Sequence, residues 1–355
     1  MPRLCVDLSF LPERPTGLGT YALNLLGHLP REELAVLTPR PLAGIHCLSV
    51  PKALSSERGR RGHLARLWWR QTRLPMLYRR LQAQLLFSPV PEAPLNGGCR
   101  YVVTVHDLIP LRFPGRFPAL LTSYFRHFVP HVLARAEHIL CDSQATAADI
   151  VQFYGIAEQK ITPVALAHDA DHFYPRHLPK KNYFLYVGRQ DTYKNLSRMI
   201  AAFAVLPEEY EFWLAGPADA RQAPLLHAQV DALQLGGRVR FLDYVPYARL
   251  PELFEQAVAL MFPTLWEGFG LPVLEAMACG TPVITSRLSS LPEVAGDAAL
   301  LVDPYCIGEI AEAMRAVALD TELCARLSAE GLKRAGQFSW QRTGEQTARI
   351  LQQFL

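Results

Sequence analysis

In the second half of the chain, short apolar runs alternate with patterns of period 3.6. The runs fall at 183–187, 212–215, 239–245, 258–262, 282–286 and 299–302. Helical patterns lie between them near 195–206, 223–235, 249–256 and 270–279. A strand followed by about ten helical residues, repeated, predicts βαβ units and a parallel sheet. The first half repeats the theme less regularly. Strands are expected at 4–8, 34–37, 45–50, 85–87, 101–105, 139–142 and 161–165, with helices near 20–29, 65–81, 120–136 and 145–154. Its strand runs are largely continuous in apolar residues, as strands covered on both faces must be. Residues 168–182 carry His, Pro and charge without either period and are expected to form a linker. After residue 303 only helical patterns follow, ending with 339–355. The expected class is α/β: a doubly wound domain over 1–167, the linker 168–182, a second doubly wound domain over 183–338, and a terminal helix over 339–355. Two such domains would face a cleft, with ligands at the carboxyl ends of the strands.

Composition narrows this little. The 355 residues are 50% hydrophobic and 19% charged, a globular balance with room for two cores. No apolar run approaches the ~20 residues of a membrane span. The N-terminus shows no basic leader with an apolar run and cleavage site. The seven cysteines form no CxxC pair and are expected as free thiols in a reducing compartment, which predicts a cytoplasmic protein. The net charge of +3 divides unevenly: residues 1–175 hold 19 Lys+Arg against 13 Asp+Glu, the remainder 17 against 20. The basic half is the one suited to an anionic surface or substrate.

The chemistry concentrates in the second domain. An apolar strand ends at Gly188, and Arg189 and Lys194 follow before a helix opens near Asn195. Two cations in a strand-to-helix loop suit a diphosphate, although solvated loop cations would look the same. The strand at 258–262 runs into Thr264-Leu-Trp-Glu-Gly-Phe-Gly-Leu-Pro-Val-Leu-Glu-Ala-Met-Ala-Cys-Gly280. Gly268 and Gly270 allow close backbone approach, and Pro272 fits a first helical turn. The free N–H groups there make a second anion site. Glu267 at its mouth and Glu275 in the second turn would be unfavourable beside phosphate unless they accept hydrogen bonds from sugar hydroxyls.

The spacing Glu267…Glu275, the string Thr281-Pro-Val-Ile-Thr-Ser286 and Leu291-Pro-Glu-Val-Ala-Gly296 together resemble the family 4 retaining glycosyltransferases of GT-B fold. The likeness is strongest over about 183–304. It implies two Rossmann-like domains and a nucleotide-sugar donor, with no cofactor and no bound metal. Arg189 and Lys194 would hold the donor diphosphate; Gly268, Phe269, Gly270 and Leu271 would offer backbone N–H groups. Glu267 would bind the transferred sugar, Glu275 the ribose, and the turn at Tyr244 and Val245 would flank the base. Phe338-Ser-Trp340 and the helix after it resemble the segment that returns to the first domain. Asp171-His-Phe-Tyr-Pro175 resembles the interdomain segment, but His168-Asp169 replaces the usual Asn-Gly. Asp169-Ala-Asp171 is therefore not expected to bind metal.

In the first domain Thr104-Val-His-Asp-Leu-Ile-Pro110 ends a strand with His106 and Asp107. A strand-end His is commonly structural; the resemblance implies instead that it meets the donor sugar, without acting as a general base. Gly17-Leu-Gly19 resembles the family's N-terminal glycine loop, though a bare GxG also suits a plain turn. Residues 55–82 hold eight arginines and one acid, interleaved with Trp68 and other apolar residues. Either Arg58, Arg60, Arg61, Arg66, Trp68 and Arg70 meet an anionic membrane, or an ordinary helix buries one face and solvates its arginines. Nothing suggests a nucleic-acid groove.

Within the family the strings around 69–75 and 105–114 look most like mannosyltransferases of bacterial surface-polysaccharide assembly. That implies GDP-mannose as donor and a glycan or lipid-linked glycan as acceptor. A UDP-sugar donor, a sugar-nucleotide epimerase on the same fold, and a non-catalytic membrane scaffold are the alternatives.

Overall fold

The computed structural model describes residues 2–13 and 17–355. They form two compact units, one of residues 1–166 with 340–355, the other of residues 167–339. The segment expected as a linker is thus part of the second unit. Phe173 is its anchor, buried against Phe254 and Tyr247.

The first unit is a seven-stranded parallel sheet of β1 (Leu4–Asp7), β2 (Leu34–Thr38), β3 (Cys47–Ser49), β4 (Leu85–Ser88), β5 (Tyr101–Val105), β6 (His138–Cys141) and β7 (Ile161–Pro163). Its order is β3-β2-β1-β4-β5-β6-β7, so the winding reverses between β1 and β4. β1, β2, β4 and β5 are buried at every position, which is why their sequences lack polar alternation. The second unit has six parallel strands: β8 (Tyr183–Val187), β9 (Glu211–Ala215), β10 (Val239–Asp243), β11 (Ala259–Phe262), β12 (Val283–Ser286) and β13 (Leu300–Val302). Their order β10-β9-β8-β11-β12-β13 reverses between β8 and β11. Ligands of doubly wound sheets collect in the crevice at such a reversal.

Two expected helices are broken in two. The pattern at 65–81 is realised as α2 (Gly59–Thr72) and α3 (Leu74–Arg80), and that at 120–136 as Ala119–His127 and Val129–Arg135. Each second piece has a proline, Pro75 or Pro130, in its first turn. Proline supplies no N–H to the carbonyl four residues back, so the helical hydrogen bonding is interrupted there. The first helix, α1 (Leu18–Leu26), begins two residues earlier than its apolar pattern suggested.

The last helix, Trp340–Gln352, lies on α1 within the first unit. Gly344 makes this approach possible: a Cβ there would stand 2.4 Å from the Cβ of His28. Thr343 donates its hydroxyl to the Ala165 carbonyl at 2.7 Å, and Arg3 reaches the Leu355 carbonyl at 3.0 Å.

The arginine segment divides by burial. Arg70 is fully buried on α2, bonded to Asp7 at the end of β1 and paired with Glu92 in the loop after β4. Arg66 is also buried; it bonds Glu92 at 3.1 Å and the Leu54 carbonyl at 2.7 Å. These two therefore cannot touch a membrane, which corrects the expectation for them: their faces of α2 point at the sheet. Arg58, Arg60, Arg61 and Trp68 are exposed.

Burial leaves the Asp7 carboxylate dependent on its guanidinium. Arg70→Met should lower unfolding free energy by about 3–5 kcal/mol, because it strands a buried charge. Arg60→Gln on the same helix should change it by less than ~0.5 kcal/mol. Chemical denaturation of the two variants compares them directly; equal midpoints would show that Asp7 does not need its partner.

Candidate functional site

The loops after β8 and β11 flank the reversal of the second sheet, and both carry the predicted chemistry. After β8 the chain passes Gly188 and Arg189 into a single turn, Thr192–Lys194, closed by Asn195 in the left-handed conformation (φ 67°). The buried Asn195 amide donates to the carbonyls of Pro263 at 2.9 Å and Pro304 at 2.7 Å. It thereby bolts this loop to the one after β11. Leu265 N–H adds a bond to the Tyr193 carbonyl at 2.8 Å, and the Tyr186 hydroxyl holds the Arg189 carbonyl at 2.6 Å.

Lys194 meets Glu267 across these loops, its ammonium 2.7 and 2.9 Å from the two carboxylate oxygens. Both side chains are largely buried. The ammonium also lies over the rings of Tyr193 and Phe262, 5.1 and 5.5 Å from their centroids. Arg189 differs: its side chain is 70% exposed and, among the described residues, pairs with nearby Asp191 at 3.1 Å. The site thus offers one fixed cation and one on a solvated arm.

Glu267 is set by its backbone as well. Its N–H donates to Ser289 Oγ at 3.2 Å, and Ser290 Oγ donates to the carbonyls of Glu267 at 3.1 Å and Phe269 at 2.7 Å. Phe269 turns its ring into the unit, edge-on to Phe338. Gly270 then adopts φ 110°, a conformation that a side chain would strain, and opens the helix Leu271–Ala278. Its N-cap Gly270 offers no side-chain bond, Pro272 carries no N–H, and the Val273 N–H donates to the Gly270 carbonyl at 3.0 Å, so the Leu271 N–H is the first-turn group that an anion would meet.

Glu275 sits in the second turn, half-buried. Burial pushes its carboxyl up to about 7 from an ordinary 4.5, and the neighbouring Asp169 carboxylate adds to the rise. Asp169 is a site residue that the sequence did not reveal. It accepts the Asp171 N–H at 3.2 Å and the Tyr247 hydroxyl at 3.5 Å. Tyr247 in turn stacks on His172, ring centroids 4.1 Å apart. The only signal was the replacement of Asn-Gly by His168-Asp169. Tyr244 is exposed and Val245 half-exposed on the turn after β10, near this cluster in sequence. Among the described residues no three His, Cys, Asp or Glu side chains converge as metal ligands.

In the first unit, His106 and Asp107 follow β5. Both ring nitrogens of His106 are engaged: Nδ1 is 2.8 Å from Asp142 Oδ2, and Nε2 donates to the Pro89 carbonyl at 2.9 Å. Burial alone would lower the imidazole's pKa, but the Asp142 carboxylate raises it. Burial likewise raises Asp142. The pair therefore keeps its proton beyond the pH at which a free imidazole loses it. Asp142, at the end of β6, is the partner that the strand pattern brought to this edge without naming it. Asp107 accepts the Ile109 N–H at 3.0 Å. Gly17 precedes α1, and Gly19 is buried within its first turn rather than in a loop.

Comparison with known proteins is consistent across the chain. Residues 168–334 match the family described as glycosyl transferases group 1, and residues 15–172 match glycosyltransferase family 4. O-antigen chain mannosyltransferase B of Escherichia coli is 32% identical over 264 residues, 70% of this chain and 69% of that protein. O-antigen chain mannosyltransferase RfbU of Salmonella typhimurium is 34% identical over 203 residues, 57% of this chain and just over half, 56%, of that protein. The sucrose-phosphate synthase structure from Thermosynechococcus elongatus superposes with a TM-score of 0.80 at 18% identity, over 99% of each chain.

Lys194→Met should leave Glu267 a largely buried carboxylate without its cation and lower the melting temperature by several degrees. Arg189→Met removes a solvated charge and should leave the melting temperature within about 1 °C. Thermal unfolding of both variants tests the distinction; equal shifts would mean that the Lys194–Glu267 pair does not support the loops.

Proposed function

We propose, starting from the fact that this chain belongs to the family 4 glycosyltransferases, that it is a retaining mannosyltransferase using GDP-mannose. Its acceptor is a glycan or lipid-linked glycan in surface-polysaccharide assembly. The observation that carries the reading is the Lys194–Glu267 pair at the reversal of the second sheet, beside an uncapped helix N-terminus and the solvated Arg189. Cations and helix N–H groups suit a diphosphate; carboxylates suit the hydroxyls on either side of it. The mannose choice draws support from the two mannosyltransferases to which the chain is similar.

In this reading Arg189 and Lys194 grip the diphosphate, together with backbone N–H groups of Gly268, Phe269, Gly270 and Leu271. Glu267 accepts hydrogen bonds from mannose hydroxyls and Glu275 from the ribose. Tyr244 and Val245 flank the base. Gly17, Gly19, His106 and Asp107 are assigned to the donor sugar, His106 through Nε2 once that nitrogen exchanges the Pro89 carbonyl for a hydroxyl. The reaction breaks the bond between the anomeric carbon and the diphosphate oxygen and forms a new one to the acceptor oxygen on the same face. The acceptor's hydroxyl proton passes to the departing diphosphate. The chain's own cations stabilise the charge that grows there, which is the main catalytic contribution and requires no bound metal.

A panel of nucleotide sugars tests the donor. GDP-mannose should raise the melting temperature and support transfer to an oligomannose acceptor, and Glu267→Ala should reduce turnover more than about tenfold. A shift with UDP-sugars alone would replace the donor, and near-normal turnover by Glu267→Ala would remove that residue from the sugar site.

Glu275 makes a separate prediction. The folded chain holds its proton more tightly than the unfolded chain, so this group's contribution to ligand-free stability falls as pH rises from 4.5 to about 7. Ribose hydroxyls need the ionised form as acceptor. Affinity for GDP-mannose, whose diphosphate does not titrate in this range, should therefore rise between about pH 6 and 8. Calorimetry should find that slope flattened in Glu275→Gln; an equal slope in both proteins would place the titrating group elsewhere.

A further inference from the structure

Removing Arg66 and Arg70 from the arginine segment sharpens what the remainder does. α2 shows the solvent one face on which Arg60, Arg61, Leu64 and Trp68 lie together, a spacing of three to four residues per turn. Leu64 is 54% exposed and Trp68 63%. α3 adds Met76, 48% exposed, together with Arg79 and Arg80. The two helices meet in a groove of about 480 Å³ lined by Trp68, Trp69, Arg73, Met76, Leu77 and Arg80. Arg58, Arg60, Arg61, Arg73, Arg79 and Arg80 are all exposed, and residues 55–82 contain one acid, Glu57. The chain has thus spent its buried arginines on internal pairs and left six cations around three protruding apolar side chains.

We propose that this α2–α3 face docks on an anionic phospholipid bilayer, with Trp68 and Met76 entering at the level of the glycerol backbone and the arginines pairing with lipid phosphates. Charge complementarity selects the occupant. The core of a protein interface is depleted in charge, whereas here six exposed arginines lie on or beside the two helices that carry Leu64, Trp68 and Met76. Single-stranded nucleic acid is bound by stacking on aromatic rings in a basic groove, and Leu64 and Met76 offer bases nothing. A bilayer surface accepts both halves of the pattern: its phosphates take guanidinium groups, and its interface takes indole and aliphatic side chains. No helix among the described residues is long and apolar enough to cross a membrane. The inference is independent of the donor chemistry. It gives the lipid-linked acceptor of the proposed reaction a surface on which to be met.

Flotation of the full chain with vesicles tests it. Vesicles of phosphatidylcholine mixed with phosphatidylglycerol should carry the protein; phosphatidylcholine alone should not. Binding should fade as salt shortens the screening length from about 10 Å at 0.1 M to about 3 Å at 1 M. The double variant Arg60→Glu/Arg61→Glu should bind at least about tenfold less, since each interfacial arginine is worth about fivefold, and Trp68→Ser should separately weaken binding by removing the indole that enters the bilayer interface. Arg315→Glu/Lys333→Glu, the same charge change on exposed sites of the second unit, should bind as the parent does. Transfer to a water-soluble acceptor should be equal in the parent and the Arg60/Arg61 variant, which separates failure of docking from failure of the enzyme. Full flotation of the Arg60/Arg61 variant, equal binding of uncharged vesicles, or no flotation at all would overturn the proposal. So would binding of single-stranded RNA as tight as that of the vesicles.

Discussion

A parallel strand covered on both faces has no place for a charge along its length. The charges at the centre of each sheet therefore stand where the strands stop. The constraint is visible at both reversals of winding. β1 ends in Asp7 and β4 leads to Glu92; β8 leads to Arg189 and Lys194, and β11 to Glu267. The two units face the same problem and resolve it in opposite ways.

In the first unit the charges are consumed internally. Arg70 comes down from α2 between Asp7 and Glu92, and Arg66 joins Glu92 from one turn earlier. Two guanidinium groups meet two carboxylates out of water, and the position is filled by protein. In the second unit the cancellation is partial. Lys194 satisfies Glu267, but Arg189 is left on a solvated arm and the helix at Leu271 is left uncapped. The proposed diphosphate site lies at the reversal where the charges are paired less completely out of water. This asymmetry comes from side chains, since the winding of the two sheets is alike.

The same division explains what could be read in the sequence. Strands such as Tyr183–Val187 and Tyr101–Val105 were legible because burial on both faces writes a continuous apolar run. The loop residues Arg189, Lys194, Glu267 and Gly270 were legible because strand, glycine and helix signals fix where a loop must lie. Helix breaks at Pro75 and Pro130 were missed because each proline sits in a new first turn, where it is compatible with the 3.6 period on either side. Burial of Arg66 and Arg70 was missed for a different reason. On a helix so rich in arginine, composition points to a solvated face, and only the distant acids Asp7 and Glu92 say which arginines turn inward. Asp169 was hidden in the same way: its partners, Tyr247 and Glu275, lie far along the chain. Pattern reports local periodicity well and long-range charge pairing hardly at all.

The two glutamates of the second unit then acquire a joint meaning. Each is a carboxylate of the proposed donor site, and each is already quenched within the protein. Glu267 is quenched by the Lys194 ammonium; Glu275, next to Asp169, by retaining a proton to about pH 7. A ligand that brings only phosphate competes with Glu267 for Lys194 and leaves a largely buried carboxylate short of its partner, which is costly. A ligand that brings phosphate and hydroxyl groups together supplies Lys194 with its anion and Glu267 with donors in one step. In the proposed reading the ion pair penalises half-ligands and favours molecules in which a diphosphate is joined to polyols. In that reading, selection for the joined molecule begins at one largely buried pair at a strand end, and Arg189 and Glu275 add to it.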